Sequence, residues 1–276
     1  MLQQYFKTII VGVDFSDYSK IVVKQAQLLG QLWNAKLVLV HAIQDPIEYA
    51  PSIYNLSYPN LSSPKTYLIR MSKKYEIEKK SATLIALYGS AVPLLLQTAK
   101  KYPEPLIMIG HRGQNKISTF MFGSTAQELI KKSKKSLWIH RGSKVVHPQK
   151  ILIPHDLSIE SNRSIDVVRK LSFENPSSYE VFFVKEKEFP VLNYKDYPLV
   201  EGAFLKNAQA KIKNIFKEYP EVSFVTAKGN VTNKIVKHTK KFDLLVMTHH
   251  SPTGLFSKSE TIELLKDIKT PMLVAH

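Results

Sequence analysis

Short apolar runs punctuate the first half of the chain at Thr8–Val13, Lys36–Val40, Thr83–Gly89, Leu106–Ile109 and Leu137–His140. A run that is apolar at consecutive positions has no solvent face, which predicts a strand of a parallel sheet covered on both sides. Between the runs the period changes. Val22, Ala26 and Leu29 recur at steps of three and four, as the buried stripe of a helix does. Strands alternating with helices in this way predict an α/β domain of five parallel strands.

The pattern is then written again. Thr8-Ile9-Ile10-Val11-Gly12-Val13-Asp14-Phe15-Ser16 matches Lys150-Ile151-Leu152-Ile153-Pro154-His155-Asp156-Leu157-Ser158 at an offset of 142 residues. Lys36–Val40 answers to Glu180–Val184, Thr83–Gly89 to Ser223–Gly229, and Leu106–Ile109 to Leu244–Met247. Ile165, Val168 and Leu171 repeat the helical stripe, and Gln127–Lys131 returns as Ile262–Lys266. Order is kept while spacing drifts, as after a duplication. The expected organisation is a domain over 1–142, a linker over 143–149 with glycine and proline near its ends, and a second domain over 150–276. Residues 44–64, with four prolines and three tyrosines, break the pattern. They read either as a surface insertion or as a lid at the strand ends.

Composition narrows the class. The 276 residues are 44% hydrophobic and 22% charged, ordinary for a globular protein. The absence of cysteine excludes disulfides and thiolate metal sites. No segment reads as a secretory signal or a membrane span, so a cytoplasmic protein with no membrane partner is expected. The net charge of +16 is uneven: residues 1–149 carry 20 Lys+Arg against 8 Asp+Glu, and residues 150–276 carry 19 against 15. Such a surface attracts polyanions, but no nucleic-acid-binding motif accompanies it. Lys131-Lys132-Ser133-Lys134-Lys135 falls at a helix C-terminus, where lysines offset the dipole.

The segment from Gly110 to Thr125 carries the candidate chemistry. It begins where the fourth strand ends and finishes where a helix starts. Gly110 and Gly113 are suited to positive φ and to backbone amides approaching a ligand. Gly123 and Ser124 stand at a helix entrance, which favours an anion. Ser124 and Gln127 also have the spacing of a capping box, so a well-capped helix is the alternative. No Gly-Lys-Ser/Thr or Gly-x-Gly-x-x-Gly occurs in the chain.

Gly110 and Gly113 with two residues between them, and Gly123-Ser124 after nine more, reproduce the nucleotide-phosphate motif of the universal stress protein family, which the chain resembles along both copies. Val13-Asp14-Phe15-Ser16 is similar to that family's opening motif, and Ser124–Lys131 with Leu137-Trp138-Ile139-His140 to its closing helix and strand. The resemblance implies two tandem Rossmann-like domains of the adenine-nucleotide α-hydrolase type. Each would hold a five-stranded parallel sheet of order 3-2-1-4-5 flanked by helices, with ligand bound at the switch point between strands 1 and 4. It further implies that Val13, Asp14 and Ala42 line the adenine and ribose. Gly110, Arg112, Gly113, Gly123, Ser124 and Thr125 would then hold ribose and phosphates of ATP or AMP, with Mg²⁺ carried by the phosphates. Asp14 also reads as a cap for the following helix, and Arg112 as a solvated loop arginine. Family members commonly pair through their last strands, so the two halves are expected to form an intramolecular pseudo-dimer, with a homodimer as a further assembly.

The second copy departs from the motif. Thr248-His249-His250-Ser251 replaces Gly110-His111-Arg112-Gly113, and Lys258-Ser259-Glu260 replaces Gly123-Ser124-Thr125. Ser257 and Glu260 have capping-box spacing, which would put a carboxylate where phosphate would sit. A structural role without polyphosphate is expected for this half. His249-His250, with His238 or His276, offers metal-ligand types, but adjacent residues on a strand diverge and no third ligand has metal-like spacing, so no metal is expected. The leading expectation is a nucleotide-binding regulatory protein of the stress response with no catalytic residues. The alternatives are a slow ATP hydrolase or phosphoryl-transfer enzyme and a basic nucleic-acid-associated protein, whose binding would fall steeply with salt.

Overall fold

The computed structural model describes residues 5–44, 63–78, 81–111, 123–171, 178–185, 197–215, 217, 222–248 and 258–276. It divides into two units, Met1–Val145 and Val146–His276. The first holds β1 (Thr8–Gly12), β2 (Lys36–Ile43), β3 (Thr83–Tyr88), β4 (Pro105–Gly110) and β5 (Leu137–His140). These lie in the order β3-β2-β1-β4-β5, every pair of neighbours parallel. Thr8–Val11 and Pro105–Ile109 are buried at every position, which accounts for the near-continuous apolar runs.

The helices are α1 (Asp17–Leu32), α2 (Pro64–Lys74), α3 (Ala91–Lys101) and α4 (Ser124–Lys132). A Cβ on Gly12 would meet Leu95 of α3, whereas one on Gly110 would meet Tyr18 and Val22 of α1. Val11 stands in register with Met108, two residues before Gly110, and successive strand residues face opposite ways, so Gly12 faces away from Gly110. Thus α1 and α3 cover opposite faces of the sheet. The helix after β4, α4, packs with α3, so the chain leaves β1 toward one face and β4 toward the other, which opens a crevice at their carboxyl ends.

In the second unit the strands are β6 (Lys150–Pro154), β7 (Ser178–Lys185), β8 (Val222–Lys228), β9 (Leu244–Thr248) and β10 (Met272–Ala275). Their helices are α5 (Asn162–Lys170), α6 (Tyr197–Ile215), α7 (Val231–Thr239) and α8 (Lys258–Asp267). Within this unit the order is β8-β7-β6-β9-β10, again parallel throughout. One repeat match shifts. Thr8 pairs with Lys36 and Lys150 pairs with Ser178, so Lys36 answers to Ser178 rather than to Glu180. The apolar pattern tolerates this slip because two residues along a strand restore the same face. No described helix is long and apolar enough to cross a membrane.

Candidate functional site

Val13 follows β1 directly. Its N–H donates to the Val40 carbonyl at 2.9 Å, and its own carbonyl accepts from His41 Nδ1–H at 2.9 Å. Burial holds the His41 pKa below its ordinary value, which favours the neutral ring. Asp14 comes next and organises the entry to α1. Its Oδ1 accepts from the Ser16 N–H at 3.0 Å, from the Ser16 hydroxyl at 2.6 Å and from the Ser19 hydroxyl. Ser16 is the N-cap, its Oγ accepting from the Ser19 N–H at 3.0 Å. The capping alternative for Asp14 is thus realised at one remove, through the serines.

This arrangement forces Phe15 into the left-handed region, with φ of 62°. A non-glycine residue there costs on the order of 1–2 kcal/mol. The Phe15 N–H is satisfied by the Tyr75 hydroxyl at 3.0 Å. Burial pushes the Tyr75 pKa up to about 12, so the phenol keeps its proton. The Phe15 ring packs edge-on against His41 at 4.6 Å between centroids and lies under the Arg70 guanidinium at 4.5 Å.

The structure brings Val13, Asp14, Ala42, Gly110, Gly123, Ser124 and Thr125 to the carboxyl end of β2, β1 and β4 and to the start of α4. Arg112 and Gly113 lie outside the described residues, as do His249, His250, Ser251, Ser257 and residues 45–62. Two readings need correction. Gly110 does not use positive φ. The position of its absent Cβ lies 2.7 Å from two carbons of the Tyr18 ring, so glycine is required there by side-chain packing. Ser124 is not a cap either, because the N-cap of α4 is Gly123 and no side-chain cap bond forms. The Gly123 carbonyl accepts from the Ala126 and Gln127 amides at 3.1 and 3.2 Å, leaving Ser124 at the first helical position.

Gly123 has a further partner. Its N–H donates to the His111 carbonyl at 3.1 Å, and a Cβ on it would stand 3.2 Å from that oxygen. That amide is therefore committed to the protein, and the φ of −59° is unstrained. Ser124 and Thr125 supply the first-turn N–H groups, which helix geometry leaves without intrahelical acceptors. An anion fits this entrance on electrostatic grounds. The Asp14 side chain is half-buried at the edge of the same crevice.

The second unit keeps the first part of this design and loses the second. Asp156 Oδ1 accepts from the Ser158 N–H at 3.0 Å and from the Ser158 and Ser161 hydroxyls at 2.5 Å each. Leu157 has φ of 65°, matching Phe15. Its N–H is held by His155 Nδ1 at 2.9 Å in place of a tyrosine. At the end of β9, however, Thr248 occupies the position of Gly110. Thr248 is buried, and its hydroxyl has no hydrogen-bond partner among the described residues. Among those residues no group of three His, Cys, Asp or Glu side chains could hold a metal ion. Sequence reasoning missed Ser19 and Ser161, although the Asp-x-Ser-x-x-Ser spacing common to both copies was there to find. Tyr18, Tyr75 and His41 were also missed.

The geometry defines a doubly wound α/β protein with a crevice at its topological switch point. The model of the universal stress protein family matches residues 5–141, the extent of the first unit. A Thermus aquaticus universal stress protein, encoded in the 3′ region of a QAH/OAS sulfhydrylase, is 26% identical over 131 residues, covering 45% of this chain and 91% of the relative. A universal stress protein from Archaeoglobus fulgidus DSM 4304 superposes with a TM-score of 0.64 at 17% identity, covering 99% of this chain and 98% of that one. A functionally unknown protein from Pseudomonas aeruginosa PAO1 gives 0.67 at 12% identity, with coverages of 99% and 93%. The last two establish the fold. The chain belongs to the universal stress protein family.

Proposed function

We propose that this protein is a cytoplasmic, stress-responsive regulator that binds one adenine nucleotide, ATP or AMP, in its first unit and does not turn it over. The observation that carries the reading is the convergence of Asp14, Ala42, Gly110 and the N-terminus of α4 on one switch-point crevice. Val13, Asp14 and Ala42 would face the nucleoside. Ser124 and Thr125 would offer first-turn amides to the phosphates, with Arg112 and Gly113 completing the motif and Mg²⁺ arriving on the phosphates. Gly123 would instead anchor the start of α4 to His111, since its N–H already donates to the His111 carbonyl. What supports binding without hydrolysis is that the nucleotide motifs contain no acid apart from Asp14, which would lie at the nucleoside end. A phosphoryl-transfer site needs an acid placed as base or metal ligand near the γ-phosphate.

Mass spectrometry of the natively purified chain, with isothermal titration of ATP, AMP and GTP, tests the reading. Adenine nucleotides are expected to bind at one site, and a chain that binds none of them overturns it. Sustained phosphate release from ATP at neutral pH would replace it by the enzyme reading. Pairing of the two units through β5 and β10 belongs to the same proposal. Its supports are the family resemblance and the cost of leaving two apolar edge strands uncovered.

A further inference from the structure

We propose that Tyr18 is a positioning residue for the phosphate end of the site, acting through His111 on the entrance of α4, an inference that rests on the nucleotide reading above. Tyr18 sits in the first turn of α1, and its ring fills the space left by the missing side chain of Gly110. Its hydroxyl donates to the His140 carbonyl at 3.0 Å. That spends the only hydroxyl proton, so the 2.8 Å contact with His111 Nδ1 has the imidazole N–H as donor. The rings of Tyr18 and His111 meet edge to face, 4.8 Å between centroids and 88° apart.

His111 ties the end of β4 to the start of α4. Its N–H donates to the same His140 carbonyl at 3.2 Å, and its carbonyl receives the Gly123 N–H at 3.1 Å. The N-cap of α4 is therefore bonded back to the residue that follows β4. Tyr18 grips that residue by its side chain and shares its backbone acceptor. The acceptor is itself fixed, because His140 is fully buried and its Nε2–H donates to the Lys144 carbonyl at 3.1 Å.

The second unit changes the tyrosine and the glycine together. Glu160 stands two residues after Ser158 as Tyr18 stands two after Ser16, and Thr248 pairs with Ala275 as Gly110 pairs with His140. Threonine replaces the glycine and no phenol remains at the position of Tyr18, whereas a histidine, His249, is kept in sequence at that of His111. The Asp-Ser-Ser network survives in both units while the tyrosine and glycine do not, so the Tyr18 grip is separable from the fold.

Titration of the full chain with ATP and with adenosine tests this. Tyr18→Phe keeps the ring and deletes the hydroxyl. It is expected to weaken ATP roughly tenfold, the scale of one net hydrogen bond, while adenosine stays within about twofold. Equal losses for both ligands, or no loss for either, overturn the inference. Should Tyr18→Phe fail to fold, His111→Ala and His111→Asn give the same comparison. Alanine is expected to lose ATP selectively, and asparagine, which restores an N–H donor, to recover much of it; asparagine no better than alanine overturns the role. A wild-type chain that binds neither ligand overturns the nucleotide reading and this inference together. Wild-type binding with an unchanged Tyr18→Phe overturns the inference alone.

Discussion

At Gly110 the residue type is set by a neighbour 92 positions earlier in the chain. Adding a Cβ places it 2.7 Å from the Tyr18 ring, so the ring must move and take its hydroxyl from His140 and His111. Gly110→Ala is expected to cost about 1–3 kcal/mol of stability by overpacking, measured by urea unfolding. Gly202→Ala, in α6 with nothing within 4 Å of the added carbon, is expected to stabilise by about 0.5–1 kcal/mol. The opposite signs separate a packing glycine from an incidental one. His140 makes a second test. Burial lowers its pKa to about 4, and its Nδ1 has no partner among the described residues. Between that value and the roughly 6.5 of an unfolded histidine, the unfolded chain binds more protons, so stability rises with pH. The full contribution is present above about pH 6.5 and is lost as pH falls toward 4, on the order of 3 kcal/mol in all. His41, also shifted down by burial, acts in the same direction. Unfolding at pH 7 and pH 5 is expected to show a smaller acid loss for His140→Gln than for the wild type; equal losses would refute the assignment.

Caps and strand ends show what was legible in the sequence. Strands buried at nearly every position, β1, β4, β5, β6, β9 and β10, write their burial as consecutive apolar residues and so appear in the pattern without reference to tertiary structure, whereas β3 and β8 are largely unburied. The crevice was legible for the same reason, because it lies where two such strands end. The reasons for individual residues were not. The capping box at Ser124 failed because Gly123 caps the helix one residue earlier, a difference that side-chain spacing does not encode. The aromatic contacts failed because Phe15 to Tyr75 and Gly110 to Tyr18 are long-range choices with no periodicity. Ser16→Ala removes a real cap and a ligand of Asp14, and is expected to cost about 1 kcal/mol or more. Ser124→Ala removes neither, and its effect on thermal stability is expected within about 0.5 kcal/mol. A loss at Ser124 as large as that at Ser16 would restore the capping box.

For the molecule as a whole, the two units separate what builds the fold from what would bind a ligand. Both have the same strand order, the same left-handed residue after the first strand and the same carboxylate gripping two serines. They differ at the end of the fourth strand, where Gly110 and Tyr18 face Thr248 and Glu160. Asp14→Ala and Asp156→Ala should therefore cost similar folding free energy, roughly 1–3 kcal/mol each, since each leaves the same serine donors without their acceptor. Their effect on nucleotide should diverge. Asp14→Ala is expected to weaken ATP at least tenfold, and Asp156→Ala to leave both affinity and the stoichiometry of one per chain unchanged. Isothermal titration gives the number of sites, and the thermal shift with ATP gives an independent reading. A nucleotide at a hundred times its dissociation constant adds about 2.7 kcal/mol to the folded state that binds it. Because the units could melt separately, the shift should raise the transition that Asp14→Ala lowers and leave the one that Asp156→Ala lowers in place. Two equal sites, or a shift lost in Asp156→Ala, would mean that Thr248 and its neighbours do not disable the second unit.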